Sequence, residues 1–412
     1  MVDDATEFYD HQEIRDPDQR HAQIYTALPG LVRHAVDNAP ALARHLAGTD
    51  PAGVTSPAAL AALPVLRKSE LIERQATEPP FAGLVATPIS RLARVFASPG
   101  PIAEPEGLRT DYWRCARALY AAGFRTGDLV HNAFSYHLTP AGMMIEGGAR
   151  ALGCPVLAAG TGQTARQLQA IDRLRPVGYA GTPSFLRILL DEAADHGADV
   201  SAFTKALVSG EAFPPTVRDD LQTRYGVAAY QCYATADAGL IAYETRARDG
   251  LIGDEAVIIE IVHPGTGDPV DDGEVGELVI TSFNPDYPLI RFATGDLSAV
   301  LPGASPCGRT NRRIRGWLGR ADQSAKVRGM FVHPHQVAAI AERHELGRSR
   351  IVIDLDEGKD RLRLLVEAAA APGLAEHLEQ TIRETISLRG EVHFVAPGSL
   401  PDDGKVIEDR RS

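Results

Sequence analysis

Cysteine is scarce in this 412-residue chain, and its cysteines are not arranged in closely spaced pairs. The four of them are scattered along the sequence, at Cys115, Cys154, Cys232 and Cys307. Without a paired spacing the sequence predicts no disulfide framework, which is typical of a reducing compartment. Residues 1–20 are rich in Asp, Glu and Arg and do not resemble a signal peptide. We therefore expect a cytoplasmic protein.

The sequence also lacks an excess of positive charge and any long apolar run. It contains 42 Lys and Arg against 54 Asp and Glu, which gives a formal net charge of -12. General binders of nucleic acid or of anionic membranes have a basic footprint, so both classes are excluded. A small basic pocket for a nucleotide is not excluded by this balance. No apolar run approaches the length that spans a bilayer.

What the sequence does contain is an ordinary apolar content and a repeated alternation of strands and helices. With 44% hydrophobic residues over 412 positions, the chain predicts two or three folded domains. Between residues 110 and 194, short apolar strand segments alternate with helical ones. This alternation predicts βαβ units and a parallel sheet covered on both faces. The predicted fold class is α/β, with ligands at the carboxyl ends of the strands.

The first eighty or so residues show helical patterns without recognisable chemistry. Apolar spacing predicts helices over residues 17–48, broken at Pro29-Gly30. Ser56, which precedes Pro57, has the form of a helix N-cap. A loop leading into a helix is predicted from Pro64 to Leu71.

Aromatic and polar side chains follow one of the predicted strands. Phe134, Tyr136 and His137 come directly after the strand that ends at Asn132. They either line a pocket for a flat or acyl group or pack into the core as ordinary aromatic residues.

Two further loops follow strands of the same sheet. Gly210, in the segment Ser209–Pro214, would let a ligand approach the main chain closely. Asp237 follows the strand that begins at Ala228. It is either a ligand for Mg²⁺, which prefers carboxylate and phosphate oxygens, or the N-cap of a following helix.

The segment from residue 291 to residue 329 has the strongest nucleotide-binding features. Val257–Val262 and Glu277–Thr281 predict a long hairpin that leads into it, within a β-rich subdomain at about 256–318. Asp296 is predicted to end a strand, and its carboxylate could accept both hydroxyls of a ribose. Arg320 suits phosphate or ribose. A surface ion pair is the alternative for either residue.

About eighty residues follow Gly329, a length suited to a small domain, and their pattern predicts a compact α+β module. Near its end stands the sequence LPDDGK, in which Lys405 follows a tight-turn signal. Taken alone, Lys405 reads as a solvated lysine on a turn.

Residues 97–107 follow a strand and contain glycine, as phosphate loops do, but their composition is poor for that role. Prolines at 99, 101 and 105 remove main-chain donors, and no lysine closes the loop. Glu104 and Glu106 would repel an anion. The segment is predicted to be a structural turn or a phosphate loop that has lost donors.

The order of these motifs is informative as a whole. The loops at 210–212 and 233–237 are followed by Thr294-Gly295-Asp296, by a joint at residues 319–322, and by Leu-Pro-x-x-Gly-Lys. This order resembles the AMP-forming adenylating enzymes, such as acyl-CoA synthetases, luciferases and peptide-synthetase adenylation domains. Over nearly its whole length the chain is most similar to the phenylacetate–CoA ligase family. The closer similarity lies in four segments: 64–71, 132–142, 160–167 and 306–310.

The resemblance implies an enzyme that uses ATP, Mg²⁺ and coenzyme A. A carboxylate would attack the α-phosphate of ATP to give an acyl-adenylate and pyrophosphate, and a thiol would then displace AMP. The implied domains are an adenylate-forming domain at 1–320 and a small mobile domain at 321–412. An aryl or related carboxylate is the implied substrate, and a homodimer the implied assembly.

The resemblance also implies roles for particular residues. Lys405 would be the catalytic lysine, because a mobile ammonium can neutralise the charge that builds on the α-phosphate and the entering carboxylate. Asp237 would hold the metal, Asp322 would be the hinge, and Phe134, Tyr136 and His137 would line the acyl pocket. The implied nucleotide-binding residues are Gly210, Glu211, Ala212, Gln231, Cys232, Tyr233, Ala234, Thr235, Asp296 and Arg320.

Two departures from the family pattern leave alternatives open. Asp237 stands where the family usually has glutamate, and the 97–107 segment lacks the family's Ser, Thr, Gly and closing lysine. Arg109 or Lys326 would then replace the lost phosphate donors. The adenylate could also pass to a carrier protein or an amine, or the chain could bind a nucleotide or acyl-CoA with impaired catalysis.

Overall fold

Strands and helices alternate through the middle of the chain, as the sequence predicts. The computed structural model describes residues 7–98, 101–263, 266–318, 321, 325–328, 330–332, 334–369, 371–401 and 405–411. The chain divides into two compact units, Met1–Trp317 and Leu318–Ser412.

Within the described residues the helices are α1 (Pro17–Asn38), α2 (Pro40–His45), α3 (Pro57–Ala61), α4 (Leu71–Thr77), α5 (Cys115–Ala121), α6 (Ala141–Ala151), α7 (Thr164–Leu174), α8 (Pro183–His196), α9 (Pro215–Tyr225), α10 (Pro334–Arg343) and α11 (Leu374–Ile386).

The strands are β1 (Leu66–Arg67), β2 (Arg94–Ser98), β3 (Ile102–Glu106), β4 (Val130–Asn132), β5 (Val156–Ala158), β6 (Gly178–Gly181), β7 (Lys205–Val208), β8 (Ala228–Thr235), β9 (Gly239–Glu244), β10 (Leu251–Gly253), β11 (Val257–Val262), β12 (Gly276–Ser282), β13 (Leu289–Ser298), β14 (Val300–Leu301), β15 (Arg313–Ile314), β16 (Ala325–Val327), β17 (Met330–Val332), β18 (Ser349–Asp356), β19 (Lys359–Glu367), β20 (Glu391–Val395) and β21 (Ile407–Asp409).

A nine-stranded sheet forms the centre of the first unit, in the order β14-β15-β10-β9-β8-β7-β6-β4-β5. The strands from β5 to β8 in this order are parallel, and the remaining ones are antiparallel. Helices α5 and α6 pack on one face, while α7, α8 and α9 pack on the other. The predicted α/β fold class, with a sheet covered on both faces, is therefore confirmed.

A second sheet, in the order β1-β13-β12-β11, brings distant segments together. The predicted hairpin is present as β11 and β12, which pair antiparallel over six residues. The two residues of β1 pair in parallel with β13, Leu66 opposite Phe292 and Arg67 opposite Ala293. The residue that follows β1 is thereby placed beside the end of β13, where Asp296 lies.

The start of the first unit corrects one prediction and supports another. Helix α1 runs unbroken through Pro29, so the predicted break is wrong. An internal proline costs about 3 kcal/mol. Leu28, Leu31 and Val32 of the same helix are buried, and each large apolar side chain contributes roughly 1.5–3 kcal/mol, which outweighs that cost. Ser56 is the N-cap of α3, as predicted, because its hydroxyl accepts from the Ala59 main-chain N–H.

Two strands that the sequence did not reveal shape the candidate site. The segment predicted as a loop continues as β3, which pairs antiparallel with β2. Asp237 lies in the turn between β8 and β9, so the alternative that it caps a helix is wrong. Gly239 follows with φ +73°, and a Cβ there would lie 2.8 Å from the Trp113 carbonyl oxygen. Only glycine fits this turn without strain.

The second unit contains a four-stranded sheet in the order β20-β19-β18-β21, with helices α10 and α11 and the β16–β17 hairpin. Its core is formed by apolar residues of all these elements. Of the helices in the described part of the chain, none combines the length and apolar character needed to cross a membrane.

Candidate functional site

Two of the predicted loops meet at the carboxyl edge of the parallel strands. Ser209, which follows β7, donates its hydroxyl to the Cys232 carbonyl oxygen at 2.8 Å. Strand β8 is parallel to β7, so Gly210–Ala212 and Gln231–Thr235 lie at neighbouring strand ends. The residues of 210–212 are exposed, while Cys232 is buried. The structure thus brings nine of the sequence-predicted nucleotide residues to two adjoining segments and to β13.

Asp296 is held by two aromatic donors. The Tyr233 hydroxyl donates to Oδ2 at 2.6 Å, and the Trp317 indole N–H donates to Oδ1 at 3.1 Å. Asp296 is only 8% exposed, and β13 continues past it to Ser298. Each carboxylate oxygen has a second lone pair, so both can also accept from the hydroxyls of a sugar. The sequence pointed to Asp296 and Tyr233 but not to Trp317, which no local motif marks.

A lysine that the sequence analysis did not single out lies in the same region. Lys68 follows β1, and its ammonium donates to Oδ2 of Asp237, which is 1% exposed. Burial lowers the pKa of Lys68, but the carboxylates of Asp237, Glu104 and Asp296 outweigh burial and raise it above its usual value. The lysine therefore stays charged, and its side chain remains 25% exposed.

Glu104 belongs to the 97–107 segment and is fully buried. It interacts electrostatically with the Lys68–Asp237 ion pair. The Ser98 hydroxyl donates to its Oε1 at 2.8 Å. Burial and the Asp237 carboxylate raise the pKa of Glu104 to about 8, against the opposing effect of Lys68. The same two carboxylates, added to burial, raise the pKa of the Tyr287 hydroxyl well above its usual value. Glu104, Asp237 and Lys68 therefore form one electrostatic cluster.

Two oxygens of this cluster lack a protein donor. Among the described residues, neither Oδ1 of Asp237 nor Oε2 of Glu104 has a hydrogen-bond partner. An unsatisfied buried polar group costs about 1–3 kcal/mol. Carboxylate oxygens are the ligands that Mg²⁺ prefers, so these residues fit a divalent cation.

The three predicted acyl-pocket residues differ in burial, since Phe134 and Tyr136 are half-buried and His137 is exposed. Phe134 packs against the core on the α5–α6 face, and His137 is exposed. The Tyr136 hydroxyl accepts from the Asn132 amide at 2.7 Å, and burial and Glu146 raise its pKa above the usual value. Of the three residues, Tyr136 has the fixed position that a pocket wall needs.

A buried histidine that the sequence analysis passed over fixes the neighbouring loop. His131 lies on β4 with Nε2 2.7 Å from Oε1 of Gln167. The Gln167 amide donates to the carbonyl oxygens of Gly160 and Gly162. This chain of contacts ties the loop after β5 to the central sheet.

Arg109, one of the two predicted replacements for the lost phosphate donors, contacts other side chains of the protein. Arg109 donates to Oδ1 of Asn284 at 2.6 Å and lies 3.5 Å from the Asp286 carboxylate. Glu106 is paired with Arg94. The side chain of Lys326 lies outside the described residues.

The remaining predictions concern the second unit and the joint before it. Arg320 and Asp322 lie outside the described residues, as do residues 99–100 and 402–404. Lys405 lies within the described residues 405–411. It is exposed and stands two residues before β21.

Sequence comparison relates most of the chain to one group of enzymes. The family model for AMP-binding enzymes matches residues 133–284. A phenylacetate–coenzyme A ligase of Thermus thermophilus is 30% identical, over 91% of this chain and 92% of that protein. A phenylacetate–coenzyme A ligase of Aromatoleum evansii is 29% identical, over 97% of this chain and 96% of that one.

Structural comparison agrees. A 2-hydroxyisobutyryl-CoA ligase, crystallised with its acyl-AMP and coenzyme A in the thioester-forming state, superposes with a TM-score of 0.84. It is 28% identical, and the match covers 100% of this chain and 95% of that one. An amide bond synthetase of Marinactinospora thermotolerans, 19% identical with a TM-score of 0.55 over 90% of this chain and 81% of that one, shares the fold.

Proposed function

The chain belongs to the phenylacetate–coenzyme A ligase family of AMP-forming enzymes, and from this premise we propose which residues carry out its reaction. The family joins a carboxylic acid to coenzyme A at the expense of ATP, and this chain is an AMP-forming acid–CoA ligase. Its substrates are ATP, coenzyme A and a small-molecule carboxylate. The identity of the acid and the roles of the residues are the proposal.

The observation that carries the proposal is the interaction of the Lys68 ammonium with the carboxylates of Asp237, Glu104 and Asp296. The ammonium contacts Asp237 and is stabilised electrostatically by Asp296 as well. Asp296 suits the ribose hydroxyls, and the α-phosphate of a nucleotide is joined to the same sugar. The phosphates of a ribose-bound ATP would therefore extend toward Lys68 and Asp237.

We assign nucleotide binding to the residues at the strand ends. The main chain of Gly210–Ala212 and of Gln231–Thr235 would frame adenine and the adenylate, and Asp296 would accept from the ribose. Arg320 is proposed to contact ribose or phosphate on the strength of the family resemblance. Asp322 is proposed as the hinge on the same ground.

Mg²⁺ is proposed as the metal, with Asp237 as a ligand. Oδ1 of Asp237 has no hydrogen-bond partner in the described part of the chain, and this supports the role because a cation would satisfy it. Bound to the phosphates, Mg²⁺ would neutralise charge on the leaving pyrophosphate. Asp237 would hold the metal with a side chain one methylene shorter than the glutamate that the family usually has there.

Lys405 is proposed as the catalytic lysine of adenylation. The attack of a carboxylate on the α-phosphate concentrates negative charge on oxygen atoms, and an ammonium donor stabilises that charge. Removing a preorganised donor of this kind typically lowers the rate by about 10²–10³-fold.

The proposed acid is an aryl or related carboxylate. Tyr136 supplies a fixed aromatic wall, supported by Asn132, and Gly142 leaves room for its ring, since a Cβ there would lie 2.9 Å from it. We also propose a homodimer and a cytoplasmic location, both on the family resemblance. Sedimentation of the purified protein tests the first of these.

Exchange of labelled pyrophosphate into ATP, measured without coenzyme A, tests the proposal. A panel of acids should include phenylacetate, benzoate and 2-hydroxyisobutyrate. At least one acid should support exchange, and Lys405→Ala should reduce that exchange by about 10²-fold or more. Asp296→Asn should raise the KM for ATP, whereas Asp272→Asn, at a side chain 58% exposed, should not.

Two outcomes would count against this assignment. An absence of exchange over a broad panel, together with AMP binding in calorimetry, would make the chain a nucleotide-binding protein with impaired catalysis. Exchange that persists in Lys405→Ala would remove Lys405 from the reaction. Thioester formation on a carrier protein, but not on coenzyme A, would replace coenzyme A as the acceptor and leave the proposed adenylation step unchanged.

A further inference from the structure

We infer that Glu104 is a second protein ligand, with Asp237, for the divalent cation that accompanies ATP, and that the Lys68 ammonium competes with this cation. The inference rests on the proposed function, since it concerns the phosphate end of the same site. It assigns a role to Glu104, a buried glutamate in the segment that takes the place of the family's phosphate loop.

Burial and orphaned oxygens are the first support. Glu104 and Asp237 are both almost fully buried, and each retains one carboxylate oxygen without a donor among the described residues. The other oxygen of Glu104 accepts from Ser98, and the other oxygen of Asp237 accepts from Lys68. Each carboxylate is thus oriented by one contact and has one oxygen available to a further ligand.

Charge balance is the second support. One ammonium can compensate one of the two carboxylates, whereas a divalent cation compensates both. Buried carboxylates in a medium of low dielectric are costly unless their charge is matched. The Lys68–Asp237–Glu104 cluster therefore favours a divalent cation over a single ammonium when both carboxylates are ionised.

The phosphate chain is the third support. A carboxylate cannot lie directly against a phosphate, because the like charges repel, but a metal ion between them removes the conflict. Mg²⁺ is typically held by one or two carboxylates together with substrate phosphates and water. No cluster of three or more candidate metal ligands occurs among the residues that the structure describes. A pair of carboxylates is sufficient for Mg²⁺ when ATP and water supply the remaining oxygens.

Lys68 has the properties of a competitor for this position. Its ammonium contacts Asp237 and is stabilised by Glu104, and its side chain is 25% exposed. A lysine with that exposure can turn toward solvent when a cation of higher charge arrives. In the β2–β3 hairpin Glu104 pairs with Phe96. Glu104 is therefore held in place by the hairpin, whereas Lys68 can move.

Titration of the full-length protein with Mn²⁺, followed by electron paramagnetic resonance without ATP, tests the inference. Lys68→Met removes the competing ammonium and should lower the Mn²⁺ dissociation constant at least tenfold. Adding Glu104→Gln to Lys68→Met should reverse that gain. Adding Glu106→Gln instead is the matched control, because Glu106 lies two residues along the same strand and is paired with Arg94.

A second measurement tests the inference without the Lys68→Met variant, in case that variant does not fold. A fluorescent, non-hydrolysable ATP analogue is titrated with Mg²⁺ in the wild type, in Glu104→Gln and in Glu106→Gln. The near-isosteric Glu104→Gln keeps an acceptor for Ser98, and it should raise the half-saturating Mg²⁺ concentration at least fivefold. The Glu106→Gln protein should match the wild type.

Equal Mn²⁺ affinity in Lys68→Met and in the double variant would overturn the inference. Mg²⁺ dependence of analogue binding that is unchanged in Glu104→Gln would do the same. Neither readout needs turnover. Metal binding as described without pyrophosphate exchange would overturn the proposed function alone, and exchange without any effect of Glu104 would overturn this inference alone.

Discussion

A single buried arginine shows how the site depends on residues that take no part in chemistry. Arg291, on β13, is 2% exposed and donates to the carbonyl oxygens of Ala61, Leu63 and Gly267, each at 2.6 Å. Its charge is matched by Glu260 at 3.2 Å. These contacts fasten the chain that enters β1 onto β13, which places Lys68 near Asp296. Arg291, the first residue of the segment with the strongest nucleotide-binding features, therefore has a structural role.

His131 makes stability depend on pH. Burial lowers its pKa from 6.5 to about 4, so the folded protein keeps the ring neutral. Between those values the unfolded chain binds more protons, and the free energy of unfolding must fall as pH falls below 6.5. From pH 7.5 to pH 5.5 this residue should remove about 1 kcal/mol.

Comparison with His131→Gln isolates this contribution from those of other titrating groups. Glutamine keeps a donor for Gln167 but does not titrate, so its unfolding midpoint in urea should decline less between pH 7.5 and pH 5.5 than that of the wild type. The same decline in both proteins would show that His131 is not held neutral. Buried Asp111, whose pKa burial raises to about 7, acts in the opposite direction and is common to both proteins.

Individual residues differed in how far the sequence could reveal them. Asp237 and Asp296 were found because each lies at or near the end of a strand with a recognisable pattern. Lys68 was not, since its partner Asp237 is 169 positions away and only tertiary pairing joins them. From the sequence alone, Glu104 is predicted to repel anions. Its interactions with Lys68 and Asp237 depend on the tertiary fold and could not be predicted from the adjacent sequence.

At the scale of elements, a glycine controls the contact between α5 and α6. A Cβ on Gly148 would lie 2.6 Å from main-chain atoms of Ala116 and Cys115. A Cβ on Gly147 would be no closer than 3.9 Å to any neighbour, the Cα of Asp111. The two adjacent glycines of one helix thus form a matched pair.

Gly148→Ala should lower the free energy of unfolding by about 1–3 kcal/mol, because the helices must separate. Gly147→Ala should instead raise it by up to about 1 kcal/mol, because alanine is the better helix former. Thermal unfolding of the two variants beside the wild type measures the difference. Equal midpoints in both variants would mean that α5 and α6 are not packed at this distance.

Helices with a clear apolar periodicity were predictable, whereas two of the shorter strands were not. Helices α6 and α7 lie within residues 110–194, where the sequence predicts alternating strands and helices, because apolar periodicity over ten or more residues is distinctive. Strands β3 and β9 were missed, since a few residues next to proline or glycine give no such signal. The break predicted at Pro29 is absent because the packing of α1 outweighs the local cost of the proline.

At the scale of the whole molecule, the two units divide the predicted chemistry. The first unit contains the acids, Lys68 and the strand-end loops, while the second contains Lys405. The length and pattern of the sequence predict a small domain after Gly329, and the family resemblance implies a boundary between residues 320 and 321. The physical basis is that each unit has its own apolar core.

Product analysis tests the central claim most directly. The protein is incubated with ATP, coenzyme A and an acid that supports exchange, and the nucleotides and thioester are separated and quantified. The account predicts one AMP for each acyl-CoA formed, with both products lost in Lys405→Ala. Formation of ADP and phosphate in place of AMP, or of thioester without consumption of ATP, would contradict it.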